Sequence, residues 1–454
     1  MLSYVQMQGQ NKKVQFIFFV VFVSILIIGQ VFIERQYFYL LLGWQVILYL
    51  LFFYFYYFKA HIPLQYIVGL AIISRVVSAC IMPALSDDVY RFIWDGQLML
   101  QGNNPFLTTP NEYLKNVSVS NVKYEYFSLL HGKINHPQFY TCYPPLMQFV
   151  FLIAAYLGKS CIYLNIILLK LVIAIVDIVG VWFLVKILSK LKLNEKLVLL
   201  YALNPSVIIE GAGNAHFEVV QVAFMLMSIY FALQKKLWIA ALFWGGAIIT
   251  KLLPLLLLPL WIKYLGFKKG VLFCFIACAF SILTFTPFLS TTALQGFSSS
   301  LHLYFQNFEF NASIYYLARQ IGWWVMGYNY ISFIGPFLMI FFLSIYAYLF
   351  LKNNKINSIQ FAHLSMIVLS FYYFFATTVH PWYIINIIPF AIIAGFYYPV
   401  VWLGMAFLSY NAYSNISFKE NYWLCFFEYL IILLFLIYEV YTKKIFSQKI
   451  IKKF

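Results

Sequence analysis

Charged side chains are scarce in this chain: Asp, Glu, Lys and Arg make up 10% of its 454 residues, and only 14 residues are acidic. Hydrophobic residues make up 64% of the chain. Because a water-soluble core cannot bury that much apolar surface, soluble protein classes are excluded. Many apolar runs are long enough to cross a bilayer. We therefore predict an all-α polytopic membrane protein in which residues 1–454 form a single integral membrane domain.

Cysteine motifs and nucleotide-binding motifs are also missing. The six cysteines show neither CxxC nor metal-ligand spacing, so a redox or zinc protein has no support. We find no Walker sequence, no internal repeat and no low-complexity linker. The net charge of +16 does not indicate a nucleic-acid partner, because the basic residues stand in short clusters between apolar runs.

The lysine clusters predict how the chain lies in the membrane. With the N-terminus in the cytoplasm and roughly 12–14 apolar runs taken as transmembrane helices, all of these clusters fall on the cytoplasmic side, as the positive-inside rule requires. The clusters are Lys12 and Lys13, Lys59, Lys190 to Lys196, Lys235 and Lys236, Lys263 to Lys269, Lys352 and Lys355, and the lysines from Lys443 onward. Counting the short run 144–158 as a span would invert this pattern, so we expect an interfacial or re-entrant helix there.

Two large loops, 85–160 and 290–330, are then expected on the outer face. The acidic and histidine side chains predicted on that face are Asp87, Asp88, Asp95, Glu112, Glu125, Glu210, Glu218, Glu309, His136, His216, His302 and His380. Because loops carry much of the function of membrane proteins, we expect the chemistry on this side. The short runs 237–250 and 252–265 are expected to form a broken pair that meets at Lys251.

The stretch "SDDVYRFIWDG", residues 86–96, places two carboxylates where an apolar run ends. Ser86 is a good helix N-cap, and an ion-paired helix face is available because Arg91 lies four residues from Asp87 and from Asp95. This structural interpretation explains Asp95 well. It explains the pair of Asp87 and Asp88 less well, because adjacent carboxylates repel each other and one pKa is pushed upward. A carboxylate of that kind is suited to accept a proton from a hydroxyl group.

The same stretch, continued as "SDDVYRFIWDGQLMLQGNNPF" and followed by "YTCYPPLMQ", resembles the first outer loop of GT-C glycosyltransferases. The resemblance is to PIG-M-type mannosyltransferases of GPI-anchor synthesis and to bacterial polyprenol-phosphomannose-dependent mannosyltransferases. The matching positions are Asp87, Tyr90, Asp95, Gly102, Pro105, Phe106, Tyr143, Pro145 and Leu146. The second Asp of the PIG-M-type pattern would fall on Val89, and Asp88 supplies that carboxylate here. We take Asp87 and Asp88 as catalytic candidates, and as substrate-binding candidates of this loop Tyr90, Arg91, Asp95 and Tyr143.

A second candidate segment is "NPSVIIEGAGNAHFEVV", residues 204–220, a predicted hairpin tip on the outer face. Its glycines are explained by a tight turn. The turn alone does not explain Glu210, Asn214, His216 and Glu218 crowded between apolar runs. Similar GT-C sequences carry an acidic turn with Gly and Asn or His at this point, so we take Glu210, Asn214 and His216 as binding a sugar or positioning a metal.

Four further substrate-binding candidates lie later in the chain. Lys251 stands between two apolar half-helices, where it either snorkels to an interface or binds the lipid phosphate. Arg319 is a phosphate candidate in a loop whose composition also fits an interfacial helix. His380 and Tyr383 belong to "HPWY", which is typical of an aromatic belt but also occurs in GT-C proteins, where it would place His380 near the lipid phosphate. Arg75, Lys170 and Asp177 lie within spans and are interpreted as internal pairs.

The resemblance implies a GT-C-type bundle with outer-face loop helices. The function it implies is an inverting transfer of a sugar, mannose by the resemblance, from a polyprenyl-phosphate donor to a hydroxyl of a glycan or glycolipid acceptor. The expected location is a bacterial inner membrane, multi-pass, with the active site on the periplasmic side. A divalent cation, Mg²⁺ or Mn²⁺, is left open. The alternatives are a flippase or transporter for polyprenyl-linked glycans, which is disfavoured by the missing repeat and the outward position of the acids, and an O-antigen-type polymerase.

Overall fold

The computed structural model describes residues 2–58, 61–116, 123–306, 308–414 and 418–451, and it describes only the backbone of residues 2–13, 301–306 and 444–451. The side chains of Lys12, Lys13, Lys59, His302 and the lysines after Lys443 lie outside the described residues. The regular secondary structure of the described part is helical, apart from one isolated bridge between Phe310 and Thr378.

The α-helices are α1 (Leu2–Phe32), α2 (Phe38–Tyr57), α3 (Leu64–Ala79), α4 (Asp88–Leu100), α5 (Pro110–Asn116), α6 (Tyr124–His131), α7 (Pro145–Gly158), α8 (Ile162–Lys190), α9 (Leu199–Ala202), α10 (Pro205–Ile208), α11 (Glu218–Leu233), α12 (Leu237–Ile248), α13 (Leu258–Leu265), α14 (Phe267–Phe285), α15 (Thr291–Gln306), α16 (Ile314–Met326), α17 (Ile331–Lys352), α18 (Ser358–Phe375), α19 (Ile388–Ala394), α20 (Tyr398–Met405) and α21 (Tyr422–Ile451). Short 3-10 helices occupy Glu195–Val198, Leu253–Leu257, Thr286–Phe288, Pro381–Ile387 and Ala406–Ser414, and Ile209–Gly213 is a π-helix.

Seven helices within the described residues are long and apolar enough to cross a membrane. They are Val14–Phe32, Phe38–Tyr57, Ile162–Lys190, Phe267–Phe288, Ile331–Lys352, Ser358–Phe375 and Tyr422–Lys443, and a bent pair, Pro205–Gly213 with Glu218–Leu233, makes eight if it counts as one span. The all-α polytopic class is thus confirmed. The expected number of 12–14 spans is approached only when five shorter apolar helices are included, because several apolar runs are folded into short, broken segments.

The run 144–158 forms α7, which begins at Pro145, a residue tolerated at the first helical position because its missing N–H would have no partner there. α7 packs against α4 at Gly96, where a Cβ atom would come within 2.3 Å of the Phe151 carbonyl oxygen. α4 therefore lies directly on α7, and this contact fixes the helix that begins with the aspartate pair.

Within the spans, Arg75 and Asp177 form the internal pair that the sequence predicted. Arg75 Nε donates to Asp177 Oδ2 at 2.6 Å, and both side chains are completely buried. Tyr201 donates to the other carboxylate oxygen at 2.8 Å. Lys170 donates its hydrogen bond to the Ile81 carbonyl. These charges hold helices together and take no part in the site described below.

The aspartate pair and several lysine clusters lie at opposite ends of the same helices. α8 begins at the cavity that Asp87 lines, and α11 begins at Glu218, whose charge acts on Asp88. The two helices end at Lys190 and just before Lys235. At the far end, the Lys263 carbonyl in the last turn of α13 accepts a hydrogen bond from the Ile356 amide at 3.3 Å, which joins the end of α13 to the loop after α17. Both segments belong to predicted cytoplasmic lysine clusters.

Candidate active site

Asp87 and Asp88 stand at the start of α4 and point to different partners. Ser86 was expected to be the N-cap, but Asp87 holds that position. The Ser86 hydroxyl accepts a hydrogen bond from the Asp88 backbone amide at 3.3 Å. The Asp87 side chain makes no cap hydrogen bond and forms an ion pair with Arg35 instead. Arg35 in turn lies 4.8 Å over the ring of Tyr413.

Asp88 faces the interior of the site. Burial raises the pKa of the Asp88 carboxyl; the positive charges of His216 and Lys251 oppose this rise, and the negative charges of Asp87 and Glu218 add to it. A carboxyl group that is harder to ionise is a stronger base once it has lost its proton. Of the two adjacent carboxylates, Asp88 therefore has the properties expected of a general base.

The segment 204–220 is a sharp bend whose two helical arms, Pro205–Gly213 and Glu218–Leu233, meet at 108°. Its left-handed residue is Ala215, with φ of 65°, whereas neither Gly211 nor Gly213 has a positive φ. The glycines are needed for close approach instead, because a Cβ on Gly213 would lie 2.7 Å from Gln30 Oε1. A π-helix and a strained non-glycine residue both occur often at functional sites.

The buried Glu210 carboxylate organises this bend. It accepts hydrogen bonds from Tyr410 at 2.8 Å, Asn214 at 3.2 Å and His216 Nδ1 at 3.0 Å. Asn214 also accepts the Leu85 amide at 3.3 Å, which ties the bend to the loop before the aspartates. Because Nδ1 of His216 donates to Glu210, its Nε2 is left to serve another partner.

Three buried polar atoms of residues that interact with Asp88 or Lys251 have no hydrogen-bond partner in the described structure: His216 Nε2, His380 Nδ1 and Glu218 Oε2. Buried polar groups are nearly always paired, and groups left unpaired need an explanation. A polar substrate bound between these residues would complete their hydrogen bonding.

Trp382 joins the two histidines into a stack of rings. Its indole lies 3.7 Å from the His216 ring at an angle of 19°, and 4.4 Å from the His380 ring at 4°. Phe310 covers the far side of His380 at 4.7 Å. Burial, together with the positive charges of His216 and Lys251, lowers the pKa of His380 to about 3, so this imidazole is neutral at physiological pH.

Lys251 lies at the break between α12 and the 3-10 helix Leu253–Leu257, as the sequence predicted. Its ammonium group pairs with the buried Glu218 and lies 5.6 Å over the ring of Tyr383. Gln221 donates a hydrogen bond to the Lys251 carbonyl at 2.6 Å, which holds the break in place. The Lys251 side chain is partly exposed, and its positive charge acts on the Asp88 carboxyl.

The sequence profile of the family described as alpha-(1->6)-mannopyranosyltransferase, N-terminal domain (MptA_B family), matches residues 39–265, half of the chain. This chain belongs to that family. It is therefore a glycosyltransferase, and the GT-C resemblance seen in the sequence is confirmed. No curated protein and no solved structure matches the chain.

The matched part of this mannosyltransferase contains the aspartate pair, the bend with Glu210 and His216, and Lys251. Arg35 and the segment around Trp382 and Tyr410 lie outside it. The site is thus assembled from the family's shared region and from flanking parts of the chain.

Several predicted binding residues are engaged elsewhere. The Asp95 carboxylate accepts from Arg91 at 2.9 Å, Thr141 at 2.6 Å and Gln148 at 3.0 Å, so the predicted ion-paired helix face is present. Arg91 donates in addition to the Phe139 carbonyl at 2.8 Å. These bonds fasten α4 to the loop before α7, and they leave neither Arg91 nor Asp95 among the groups around Asp88.

The remaining candidates border the site or lie away from it. Tyr143 packs edge-on against Phe92 at 4.7 Å, and the ring of Tyr90 lies 5.4 Å from Lys133 Nζ. Arg319 pairs with Glu309 at 2.6 Å and lies over two tyrosine rings, so the structure does not bring it to Asp88.

Sequence reasoning missed Arg35, Trp382 and Tyr410. Arg35 carried a usable signal, because it is a basic residue in a turn that the topology placed on the outer face, against the charge rule. Trp382 lay inside the "HPWY" motif but was explained by an aromatic belt. Tyr410 carried no local signal, since its partner Glu210 is 200 residues away.

The described residues contain no group of three or more His, Cys, Asp or Glu side chains arranged to hold a metal ion. The donor set around Asp88 thus does not fit a protein-bound Mg²⁺ or Mn²⁺ site. A cation that took part would draw its other ligands from the donor's phosphate.

Proposed function

We propose that this mannosyltransferase transfers mannose from a polyprenyl-phosphate carrier to a hydroxyl of a glycan or glycolipid acceptor at the outer face of the membrane. The observation that supports this most directly is the placement of one hard-to-ionise carboxylate, Asp88, near Lys251 and His216. The choice of mannose as the transferred sugar rests on the family, whose description names an α-(1→6) linkage.

Asp88 acts as the general base. It accepts the proton of the acceptor hydroxyl as that oxygen attacks the anomeric carbon of the donor. Asp87 is paired with Arg35 and lines a cavity of about 820 Å³, so it positions the acceptor instead of taking the proton.

Lys251 and the two histidines act on the leaving group. As the bond from the anomeric carbon to the phosphate oxygen breaks, negative charge grows on the lipid phosphate. Lys251 offsets that charge, while His216 Nε2 and His380 Nδ1 are the unpartnered ring nitrogens able to donate to phosphate oxygens. Glu218 keeps Lys251 in place until the phosphate arrives.

A single displacement of this kind inverts the anomeric carbon. An α-linked product then requires a donor in which mannose is β-linked to the phosphate. The stereochemistry is a direct test, because a double displacement would leave the configuration unchanged and would need a second nucleophile at the anomeric carbon.

The orientation rests on charge. Among the described residues, the lysine clusters after α8 and α11 lie at the helix ends remote from Asp88, and lysine-rich ends stay in the cytoplasm. Asp88 then faces the outside, which in bacteria is the periplasmic side of the inner membrane. A lipid-linked donor suits that side, because it delivers an activated sugar without a soluble nucleotide.

Purified protein incubated with synthetic β-mannosyl phosphopolyprenol and an acceptor tests the proposal. We expect consumption of the donor and a product whose one-bond coupling between C1 and H1 of the new mannose, read by NMR, is that of an α-mannoside. Donors carrying glucose or galactose serve as controls. Use of a nucleotide-linked mannose, or lipid movement across vesicles without transfer, would contradict the proposal and favour a different enzyme or a flippase.

A further inference from the structure

Arg35 lies in the turn between α1 and α2, outside the part of the chain that matches the family. Among the ion pairs of the described residues, its partner is Asp87, 52 residues further along the chain, and not the neighbouring Glu34. The Glu34 carboxylate accepts a hydrogen bond from Gln36 at 2.9 Å instead. The turn thus brings a positive charge to the residue next to the proposed base.

The ring of Tyr413 holds this guanidinium group in place. Arg35 lies 4.8 Å over that ring, and Tyr413 packs against Tyr410 at 5.9 Å. Tyr410 donates to the Glu210 carboxylate, which also orients His216. Because a cation over an aromatic ring is held by electrostatic attraction, Arg35 is fixed to the same group of side chains that carries the site.

The Asp88 carboxyl is surrounded by charged and titratable groups from several segments of the chain. They are Asp87, His216, Glu218, Lys251, Tyr383 and Tyr413. Burial raises the pKa of Asp88, and the negative charge of the adjacent Asp87 raises it further. An arginine paired with Asp87 offsets that negative charge, so it makes Asp88 easier to ionise by acting through its neighbour.

A purely structural role is the alternative, since an ion pair also fastens the turn to the start of α4. The Arg35 and Asp87 side chains are 28% and 34% exposed, however, and pairs that water reaches contribute little to stability. A basic residue is also unfavourable in a turn on the outer face. An effect on the neighbouring carboxylate explains an arginine at this place better than stability does.

We propose that Arg35 is a positioning residue that decides which of the two adjacent aspartates acts as the base. By pairing with Asp87, it occupies that carboxylate and offsets its charge, and so leaves Asp88 able to ionise and to take the proton of the acceptor. This inference rests on the proposed function, since it assumes that Asp88 is the base. It adds that a residue outside the family's shared region sets the pH range in which the enzyme works.

The test measures how kcat/KM for transfer of labelled mannose falls with decreasing pH, using the full chain in nanodiscs. In Arg35→Gln this fall should move upward by about one pH unit, because the charge of Asp87 is no longer offset. In Arg35→Lys, which keeps a cation near the ring, the fall should stay as in the unchanged protein. The matched control is Arg319→Gln: this arginine also pairs with a carboxylate and lies over two tyrosine rings, but it is not among the groups that act on Asp88, so its profile should not move.

A double variant separates an effect through Asp87 from every other effect of Arg35. Asp87→Asn removes the charge that the arginine offsets, so Arg35→Gln combined with Asp87→Asn should show the acid fall of Asp87→Asn alone. No upward shift in Arg35→Gln, or a shift that persists in the double variant, overturns the inference. If Arg35→Gln loses all transfer, the double variant must restore it, and failure to do so overturns the inference as well.

Infrared titration distinguishes a failure of this inference from a failure of the proposed function. The protonated-carboxyl band that is lost in Asp88→Asn reports the protonation of Asp88 without any sugar transfer. In Arg35→Gln this band should appear at a higher pH than in the unchanged protein, and an unchanged titration overturns the inference. Absence of mannose transfer by the unchanged protein counts against the proposed function instead. Thermal melting shows that each variant is folded, and Arg35→Met takes the place of Arg35→Gln if that variant does not fold.

Discussion

Replacing Asp88 by Asn separates the chemical role of this carboxylate from every other role it has. The substitution keeps the size of the side chain and removes its ability to accept a proton. Losing a general base costs about 10²- to 10⁴-fold in rate, or about 3–5 kcal/mol of transition-state stabilisation. We therefore expect kcat to fall by that factor, with little change in KM for the donor.

Stability provides the control for this prediction. Because burial raises the pKa of Asp88, its charged form is penalised in the folded state. The neutral amide carries no such penalty, so the melting temperature of Asp88→Asn should not fall below that of the unchanged protein. A large loss of activity without a loss of stability is the signature of a chemical role.

Asp87→Asn is the matched variant, one residue away. Its ion pair with Arg35 is partly exposed, with about a third of the side chain accessible, and such pairs contribute roughly 0–1 kcal/mol. We expect a modest rise in KM for the acceptor and a kcat within about tenfold of the unchanged protein. Initial rates of labelled mannose transfer, measured while the donor and acceptor concentrations are varied, distinguish the Asp87→Asn and Asp88→Asn variants. The reasoning is refuted if Asp87→Asn loses more kcat than Asp88→Asn.

Three other predictions follow from the same contacts. Asp88 acts as a base only when it is deprotonated, and burial raises its pKa. As the pH is lowered, kcat/KM should therefore begin to fall at a pH above about 4, the ordinary pKa of an aspartate. A pH–rate profile without a fall in that region would contradict this. Glu210→Gln should lower kcat more than Tyr410→Phe, by roughly tenfold against two- to threefold, because only the first disturbs the hydrogen bond that orients His216; steady-state rates of the two variants decide it. Asp177→Ala should destabilise the fold by about 3–5 kcal/mol, because it leaves Arg75 charged and buried; denaturation should show most of that loss restored when Arg75→Met is added.

The positions and partners of several charged residues could be predicted from the sequence. The Arg91–Asp95 pair, the Arg75–Asp177 pair and the break at Lys251 were all predicted, because a charge in an apolar chain has few tolerable places. The division into one domain with outer loops 85–160 and 290–330 stays a prediction.

The apolar segments were harder to interpret. In a soluble helix the apolar face marks the core, whereas here the lipid-facing and buried faces are both apolar, so hydrophobic periodicity does not separate spans from short broken helices. The apolar stretch 196–209 does not form one long helix but a succession of 3-10, α and π turns. Trp382 and Tyr410 contact site residues that are far away in the chain. Local sequence patterns contain no information about such contacts.

The position of Trp382 gives this enzyme an optical reporter of its own. An indole that stacks between two imidazoles changes its emission when the charge beside those rings changes, and a phosphate bound beside His216 and His380 would make such a change. The difference in emission between the unchanged protein and Trp382→Phe isolates this one indole from the other ten. Arrival of the carrier lipid would then be visible as a change in emission, before any sugar is transferred.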